Sequence, residues 1–288
     1  MASVGFIGAG TVGTALAVRL KQKGYDVTAV ASRTRASAER LAGMVDGCRV
    51  LDNGQAVAEA TDMVFVTTPD GVIPQIAAEV KWHEGQSVTH CSGADSLDIL
   101  IPAAKRGALT GGFHPLQTFA SIAHAMENIP GSTFALEAEE PLLGRLKEMS
   151  VALEGRWIEL KPGDKVLYHA AAVFACNYLV TLVKLATDLW ETFGVSTHEA
   201  TEALLPLLRG TTNNLQNVGL PDCLTGPIAR GDLGTIQKHL DALGARAPQL
   251  LPAYRELGRQ TIPIALAKGK IDEEQANRLE ALLTQSDR

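Results

Sequence analysis

A glycine-rich segment directly follows the first apolar run of the chain, and it restricts the possible folds more than any other feature. Gly8-Ala9-Gly10-Thr11-Val12-Gly13 fits the pattern G-x-G-x-x-G, between a predicted strand, Val4–Ile7, and a predicted helix, Thr11–Lys23. The first glycine permits a tight turn, the second lets a phosphate approach the backbone, and the third lets the helix pack on the strand. The helix N-terminus offers free N–H groups to phosphates. An ordinary glycine turn is the alternative, but the flanking elements favour dinucleotide binding by all six residues.

Short apolar runs rich in Val, Ile and Phe alternate with helical segments from residue 3 to about residue 160. This alternation is typical of repeated β-α units around a parallel sheet. We therefore predict an α/β fold with a Rossmann-type, mostly parallel sheet. The candidate strands are Val4–Ile7, Val27–Ala31, Arg49–Leu51, Met63–Thr67, Ser87–Cys91, Leu109–Phe113, Thr133–Leu136 and Trp157–Leu160.

The pattern changes after Leu160. Lys161-Pro162-Gly163 interrupts the chain, Asp164 is a candidate N-cap, and no convincing strand follows. At roughly 150 residues per domain, 288 residues correspond to about two domains. We predict a dinucleotide-binding Rossmann domain over residues 1–160 and an all-helical domain over residues 161–288. The helices are predicted at 164–193, 197–208, 232–243, 247–268 and 272–285.

Composition and charge exclude several classes of protein. Hydrophobic residues make up 46% of the chain and charged residues 20%, which excludes disorder as the main state. The formal net charge of −6 argues against nucleic acid or an anionic membrane as a partner held by bulk charge. The 4 cysteines and 7 histidines lack disulfide or metal-ligand spacing, so we expect reduced thiols and no metal site. The N-terminus lacks the pattern of an export signal, which favours a cytoplasmic location.

The end of the second predicted strand indicates which dinucleotide binds. An NAD site places an acidic residue about 20 residues beyond the glycines, where it binds the ribose 2′-OH. Arg33 stands at that position instead, within Ser32-Arg33-Thr34-Arg35. Guanidinium and hydroxyl groups suit a 2′-phosphate, so NADP is favoured over NAD. The alternative interpretation is that these arginines are loop residues whose charges are only solvated.

The fourth predicted strand ends in Thr67-Thr68-Pro69-Asp70, at the carboxyl edge where open α/β sheets bind ligands. We predict that Thr67, Thr68 and Pro69 contact the pyrophosphate or the nicotinamide ribose of the cofactor. An ordinary Pro-Asp turn at the start of the next helix accounts for the same residues equally well.

Two further strand ends carry reactive side chains, in His90-Cys91-Ser92-Gly93 and in His114-Pro115. A histidine here could exchange the proton that accompanies hydride transfer, because its usual pKa lies near neutral pH. We predict this role for His114, projecting from a loop because the proline that follows keeps it out of a helix. The alternative is that His114 only caps or supports the loop. Ser92 is predicted to orient a substrate carbonyl or hydroxyl group, whereas structural roles are favoured for His90 and Cys91.

The helix predicted from Asp164 contributes a third group. At about 100° per residue, Lys165, His169 and Asn177 fall in one sector with Lys184 and Asp188. His169 and Asn177 lie among apolar neighbours, so we expect them to contact a substrate held between the domains, or else to form interdomain hydrogen bonds. Because it contains both, the apolar stretch 166–183 is interpreted as a buried helix and not a membrane span. The opposite face is predicted to be core, comprising Tyr178, Leu179, Leu182, Leu185, Leu189 and Trp190.

Together these motifs resemble those of a family of NADP oxidoreductases with a Rossmann-like N-terminal domain and a C-terminal helical domain of unknown function. The resemblance covers nearly the whole chain. It implies NADP as the cofactor and a C-terminal domain similar to that of 6-phosphogluconate dehydrogenase, and it names no substrate. The motifs are the glycine loop, Thr67-Thr68-Pro69-Asp70, His90-Cys91-Ser92-Gly93, His114-Pro115-Leu116-Gln117-Thr118-Phe119, Tyr168-His169-Ala170-Ala171-Ala172 with Asn177, and Leu224-Thr225-Gly226-Pro227.

More distantly, the layout is similar to that of prephenate dehydrogenase, pyrroline-5-carboxylate reductase, ketopantoate reductase and the β-hydroxyacid dehydrogenases. A His-Pro pair carries the catalytic histidine of prephenate dehydrogenases, and it corresponds to His114. The β-hydroxyacid dehydrogenases carry a Lys and an Asn on the interdomain helix, but the spacing of Lys165 and Asn177 differs from theirs. These relatives imply a homodimer formed through the helical domain.

We therefore expect an NADP(H)-dependent oxidoreductase that acts on a small polar carbonyl, hydroxyl or imine compound. His114 is the expected proton donor or acceptor, and Ser92, His169 and Asn177 are expected to position the substrate. A non-catalytic NADP(H)-binding sensor or interaction protein is the alternative from another class. Use of a deazaflavin cofactor is a third and less favoured interpretation.

Overall fold

The computed structural model describes residues 2–284 and divides into two compact units, Met1–Cys176 and Asn177–Arg288. The division lies beyond the change in sequence pattern near residue 160. The first helix after that change belongs to the first unit, because its Lys165 side chain is buried within 4 Å of Glu137 in the sheet.

One sheet of eight strands organises the first unit. The strands are β1 (Ser3–Ile7), β2 (Asp26–Ala31), β3 (Arg49–Val50), β4 (Met63–Val66), β5 (Ser87–His90), β6 (Leu109–Leu116), β7 (Thr133–Ala138) and β8 (Arg156–Glu159). Their order in the sheet is β3-β2-β1-β4-β5-β6-β7-β8. All neighbouring strands are parallel except β6 and β7, which are antiparallel. The predicted Rossmann-type, mostly parallel sheet is confirmed.

Helices cover both faces of the sheet, which is why the central strands read as continuous apolar runs. Every residue of β4 and β5 is buried. The helices of the first unit are α1 (Thr11–Gln22), α2 (Arg35–Met44), α3 (Gly54–Ala60), α4 (Ile73–Glu79), α5 (Ile101–Ala104), α6 (Ile122–Asn128), α7 (Leu142–Ala152) and α8 (Lys165–Ala175).

A row of phenylalanine rings crosses one face of the sheet and forms part of its core. Phe6 stacks on Phe65 with ring centroids 5.3 Å apart, and Phe65 meets Phe113 edge-on at 5.8 Å. Phe113 stacks on Phe134 at 4.6 Å. Because side chains alternate between the two faces of a strand, Gly112 and His114 point to the face opposite Phe113.

Strand β6 is longer than predicted, and this changes the setting of His114. The predicted strand ended at Phe113, one residue beyond Gly112, where pairing with β5 stops. The antiparallel partner β7 continues the ladder to Leu116 and pairs His114 with Ala135. The prediction that His114 projects from a loop is therefore wrong: its backbone is part of the sheet, which restricts its position.

Only helices occur in the described part of the second unit. They are α9 (Asn177–Glu191), α10 (Thr197–Asn217), α11 (Leu233–Arg246), α12 (Leu251–Ala267) and α13 (Glu273–Thr284), and Ile236, Ala265 and Leu279 lie in their core. The predicted helix 164–193 is interrupted at Cys176, and α10 continues past its predicted end at residue 208 with Pro206 inside it. Residue 285, in the last predicted helix, lies outside the described residues.

The apolar stretch 166–183 is mostly exposed, so the interpretation of a buried helix is wrong. Val166 and Leu167 on α8 are 65% and 75% exposed, and Val180 on α9 is 69% exposed. Of the predicted core face, Tyr178, Leu179 and Leu182 are exposed, whereas Leu185 and Leu189 pack against the core of the second unit. Lys165–Glu191 is the one described stretch long and apolar enough to cross a membrane, which alone is weak support for a span.

Candidate functional site

The glycine loop between β1 and α1 has three glycines in three different environments. Gly8 has a φ of +109°, and a Cβ there would lie 2.7 Å from the Thr67 carbonyl group. A Cβ on Gly13 would overlap the Thr67 side chain, whereas a Cβ on Gly10 would have no atom within 4 Å. Gly8 and Gly13 therefore permit close packing, while the backbone at Gly10 faces open space.

Thr67 connects this loop to the neighbouring strand. Its hydroxyl group donates a hydrogen bond of 2.8 Å to the Gly8 carbonyl oxygen, and its backbone N–H donates one of 2.8 Å to the Ile7 carbonyl oxygen. The hydroxyl group of the next residue, Thr68, is buried and has no hydrogen-bond partner among the described residues. Thr67 therefore supports the loop, whereas Thr68 has a free hydrogen-bonding group beside it.

These features fit the phosphates of a dinucleotide. No side chain caps the N-terminus of α1, so the N–H groups of its first turn, including those of Thr11 and Val12, are free to bind a ligand. Open space at Gly10 allows a phosphate to approach the backbone. The Ala9 carbonyl oxygen accepts a hydrogen bond of 3.4 Å from Arg40, an exposed side chain on α2 that the sequence analysis did not single out.

The residues after β2 present one arginine with no partner. Arg33 is exposed, as is Thr34, and forms no hydrogen bond or ion pair with any residue from 2 to 284, while Ser32 is half-buried. Arg35 is engaged instead, since its guanidinium group lies 2.9 Å from Glu39 and 3.9 Å from Asp52. Arg33 is thus the guanidinium group that a 2′-phosphate could recruit without breaking an ion pair.

Ser92, directly beyond β5, is 2% exposed and uses its hydroxyl group within the protein. The oxygen accepts a hydrogen bond of 3.0 Å from the Asp95 N–H group. It also lies 3.0 Å from a carboxylate oxygen of Asp70 and 2.9 Å from one of Asp95. A hydroxyl group has a single proton, so Ser92 donates to one of these carboxylates at a time. Ser92 therefore joins the loops after β4 and β5, and Pro69 is exposed beside Asp70.

His114 meets two residues of α8. Its Nδ1 lies 2.8 Å from the Tyr168 hydroxyl oxygen, and its ring lies 6.2 Å from that of His169. The close approach depends on Gly93, because a Cβ there would lie 2.8 Å from His114 Nε2 and 2.6 Å from His169 Cδ2. His114 and His169, both predicted site residues, are therefore together, and Tyr168 is a member that the sequence analysis quoted only as part of a motif.

A second group of polar side chains lies beside this one and is almost completely buried. Lys165 is 2% exposed, His90 is 0% exposed and Glu137 is 6% exposed. The Lys165 Nζ atom is 3.8 Å from a carboxylate oxygen of Glu137, close enough for an ion pair. The sequence analysis gave no role to Lys165 or Glu137. The one available signal was an acidic residue within the apolar strand Thr133–Ala138.

Burial determines the protonation states in both groups. Burial, with a smaller contribution from the nearby positive charge of Lys165, lowers the pKa of His90 to about 3 and that of His114 to about 4. Burial likewise lowers the pKa of Lys165, an effect that the negative charge of Glu137 opposes, and it raises the pKa of Tyr168 well above its usual value. Both imidazoles are therefore neutral at pH 7. Burial raises the pKa of Cys91 to about 12, so this residue is a thiol there.

The tautomers follow from the hydrogen bonds. The backbone N–H of Ser92 donates to His90 Nδ1 over 3.2 Å, so the proton of His90 is on Nε2. The hydrogen bond between the neutral Tyr168 hydroxyl group and His114 Nδ1 can run in either direction; we assign Tyr168 as the donor, which places the His114 proton on Nε2. The His114 Nε2–H group faces Gly93 and His169 and is suited to donate to a ligand.

Asn177 is the first residue of α9 and opens the second unit. Its predicted contact with a substrate stays a prediction. Among residues 2–284, no group of three or more His, Cys, Asp or Glu side chains could hold a metal ion.

Comparison with known protein families divides the chain earlier than the structure does, between residues 115 and 132 and not at Cys176. Residues 1–115 match the family described as Rossmann-like domain, and residues 132–261 match Domain of unknown function (DUF2520). The chain carries a Rossmann-like domain followed by a DUF2520 domain. The Rossmann-like match contains the glycine loop, His90, Ser92 and His114. The DUF2520 match contains Glu137, Lys165, Tyr168 and His169, so the site combines residues of both matches.

Solved structures match the chain over nearly their full length. A "putative NADP oxidoreductase" from Bacteroides fragilis is 25% identical, with a TM-score of 0.73 over 91% of this chain and 98% of the other. A reductive aminase from Aspergillus terreus, in complex with NADPH and ethyl levulinate, is 18% identical, with a TM-score of 0.67 over 98% of each chain. A pyrroline-5-carboxylate reductase from Coxiella burnetii is 16% identical, with a TM-score of 0.61 over 98% of each chain. No curated protein matches the chain.

The two buried neutral imidazoles predict that acid destabilises the protein. The pKa values of His90 and His114, about 3 and 4, lie below the usual 6.5, so the unfolded chain binds more protons in the interval between. The free energy of unfolding is therefore highest above pH 6.5 and decreases as the pH falls toward 3. The loss is on the order of a few kcal/mol per histidine.

The measurement is urea unfolding, followed by circular dichroism, from about pH 7 to about pH 4. His90→Gln should reduce the dependence of unfolding free energy on pH, whereas His83→Gln, at an exposed histidine, should leave it unchanged. Equal pH dependence in wild type and His90→Gln would contradict the prediction.

Proposed function

We propose that this protein is an NADP(H)-dependent oxidoreductase that transfers a hydride to or from a small polar carbonyl, hydroxyl or imine compound. The observation that carries the proposal is the hydrogen bond of 2.8 Å between His114 and Tyr168. His114 stands on the same sheet as the glycine loop, which has open space at Gly10. The similarity in fold to a structure described as a "putative NADP oxidoreductase" and to one described as an NADPH complex supports NADP as the cofactor.

Residues at three strand ends would hold the cofactor. Gly8, Ala9, Gly10, Thr11, Val12 and Gly13 would bind the pyrophosphate through backbone N–H groups. Ser32, Arg33 and Thr34 would bind the 2′-phosphate, with the free guanidinium group of Arg33 as the principal contact. Thr67, Thr68 and Pro69 would line the nicotinamide ribose, with the buried Thr68 hydroxyl group available as a hydrogen-bond partner. When bound, the nicotinamide supplies or accepts the hydride.

His114 would exchange the proton that balances the hydride. In the reductive direction its Nε2–H group donates to the carbonyl oxygen or imine nitrogen of the substrate. As that proton leaves, the Tyr168 hydroxyl group would give one to Nδ1, and solvent, which reaches the half-buried Tyr168, would return a proton to the tyrosine. His169 lies beside His114 and is suited to orient the substrate. Ser92 would orient the substrate indirectly, through its contacts with the Asp70 and Asp95 carboxylates. We also assign a substrate contact to Asn177.

Substitution of Arg33 tests the proposed binding of NADPH. Arg33→Ala should weaken NADPH binding about 10-fold or more and leave NADH binding nearly unchanged, because it removes a charge-assisted contact to the 2′-phosphate alone. Isothermal titration calorimetry measures both affinities. Arg35→Ala, at the ion-paired neighbour, is the matched control and should have a small effect. Absence of NADPH binding to the wild type would remove the basis of the proposal.

Substitution of His114 tests the proposed proton transfer. His114→Ala should lower kcat by about 10²-fold or more and leave NADPH affinity nearly unchanged, because it removes the proton donor and not a cofactor contact. The assay follows NADPH oxidation with a panel of small 2-oxo, 3-hydroxy and cyclic imino acids. His83→Ala is the control. Equal activity in His114→Ala would exclude His114, and NADPH binding without turnover of any substrate would favour the non-catalytic sensor.

We also propose that the protein is a homodimer that associates through its helical domain. The second unit exposes apolar side chains that a partner subunit would cover, among them Val180 on α9 and Leu207 on α10, 69% and 66% exposed. Sedimentation velocity should give twice the mass of one chain. Leu207→Glu should shift the protein to the monomer, whereas Val151→Glu, at an exposed valine of the first unit, should not. A monomeric wild type would contradict the proposal.

A further inference from the structure

The buried group around Lys165 is built on one row of residues that crosses three strands. The β5–β6 register pairs His90 with Gly112, and the β6–β7 register pairs Gly112 with Glu137. Paired residues direct their side chains to the same face of a sheet, so His90 and Glu137 flank a position that has no side chain. A Cβ at Gly112 would lie 2.7 Å from the Lys165 Nζ atom and 3.7 Å from His90 Nε2. The Lys165 ammonium group therefore occupies the space that Gly112 leaves in this row.

This arrangement leaves one polar atom of each of the three groups without a hydrogen bond. The Lys165 Nζ atom, the His90 Nε2 atom and a Glu137 carboxylate oxygen are buried, and none has a hydrogen-bond partner among the described residues. The 3.8 Å between Lys165 and Glu137 gives charge attraction without a hydrogen bond. Apolar residues in place of such a buried pair are often neutral or stabilising. Folding stability therefore does not account for a lysine here.

Lys165 is close to the proposed proton donor along both elements that meet here. Tyr168 and His169 follow it by three and four residues on α8, so all three side chains share one face of the helix. His114 follows Gly112 by two residues on β6, so both point to the same face of the sheet. The ammonium group thus lies next to the place where α8 meets the His114 ring.

We propose that Lys165 is a positioning residue of this site, which acts on the His114–Tyr168 pair through its charge and not through a bond to the substrate. The positive charge of Lys165 beside the imidazole disfavours a second positive charge on the ring. Because His114 then stays neutral, its Nδ1 atom remains an acceptor for Tyr168 and its Nε2–H group remains directed at the ligand. The inference rests on the proposed function only for its catalytic consequence. The other titratable groups that face Lys165 are His90 and Cys91 from β5 and its end, Asp70 and Asp95 from the loops, Glu137 from β7, and His169 from α8.

The test is an NMR titration of the His114 ring in the full chain without cofactor, with the signal assigned by its loss in His114→Gln. Lys165→Met keeps the length of the side chain and removes its charge. We expect the pKa of His114 to rise from about 4 by roughly 1 or more in this variant. Lys161→Met, at an exposed lysine one helical turn earlier in the chain, is the matched control and should leave it unchanged. An unchanged titration in Lys165→Met would overturn the proposal.

Removal of Lys165 alone leaves the Glu137 carboxyl group buried without its counter-charge, so a second variant guards against misfolding. Lys165→Met/Glu137→Gln removes both charges, and its melting temperature should equal or exceed that of the wild type. The pKa of His114 should rise in this variant too. A melting temperature well below that of the wild type in the double variant would make Lys165 a structural residue and overturn the proposal.

Turnover gives the readout that depends on the proposed function. In the oxidative direction, in which His114 must accept a proton, the pH below which kcat/KM declines should move upward with the pKa of His114 in Lys165→Met, and the shift should vanish in a His114→Ala background. If NADPH does not bind, the proposed function fails, but the NMR titration still tests Lys165. If NADPH binds and turnover occurs with an unshifted profile, the positioning role fails and the proposed function stands.

Discussion

The site depends on one buried charge that lies where a glycine leaves space in the sheet. The Lys165 ammonium group is 2.7 Å from the position that a Cβ of Gly112 would take, so a larger residue there would displace the ammonium group. Because Lys165 is the first residue of α8, its contact with the sheet positions the start of that helix. Tyr168 and His169 follow within one turn, so the same contact determines where their side chains meet His114.

The sheet contributes rigidity to the other half of the site. Parallel strands β4 and β5 end together, and the polar residues that follow them are joined by Ser92, whose hydroxyl group contacts Asp70 and Asp95. Strand β6 continues past this edge because its other neighbour is antiparallel. His114 therefore stands on a hydrogen-bonded strand and not on a loop. A proton donor on regular structure keeps its geometry more closely than one on a loop, which favours catalysis.

The local parts of this structure could be predicted from the sequence, and the long-range parts could not. The glycine loop has a signature within six residues, and alternating apolar runs predicted eight strands and the mostly parallel sheet. The antiparallel pairing of β6 and β7 leaves no local signal, and with it the setting of His114 was missed. Lys165, Gly112 and Glu137 are far apart in the sequence and become neighbours only through the register of three strands. The exposed face of α8 and α9 was mistaken for core because apolar periodicity does not say what covers it.

The balance of charges in the site bears on the kind of ligand that it suits. The His90 and His114 imidazoles are neutral at pH 7, and the ammonium group of Lys165 is buried against Glu137. Carboxylates of Asp70 and Asp95 lie at the nearby strand ends. The donor that faces the ligand is thus a neutral N–H group with a neutral hydroxyl group behind it. A neutral acceptor, such as a carbonyl oxygen or an imine nitrogen, matches that donor better than a group with a full negative charge, which the nearby carboxylates would repel.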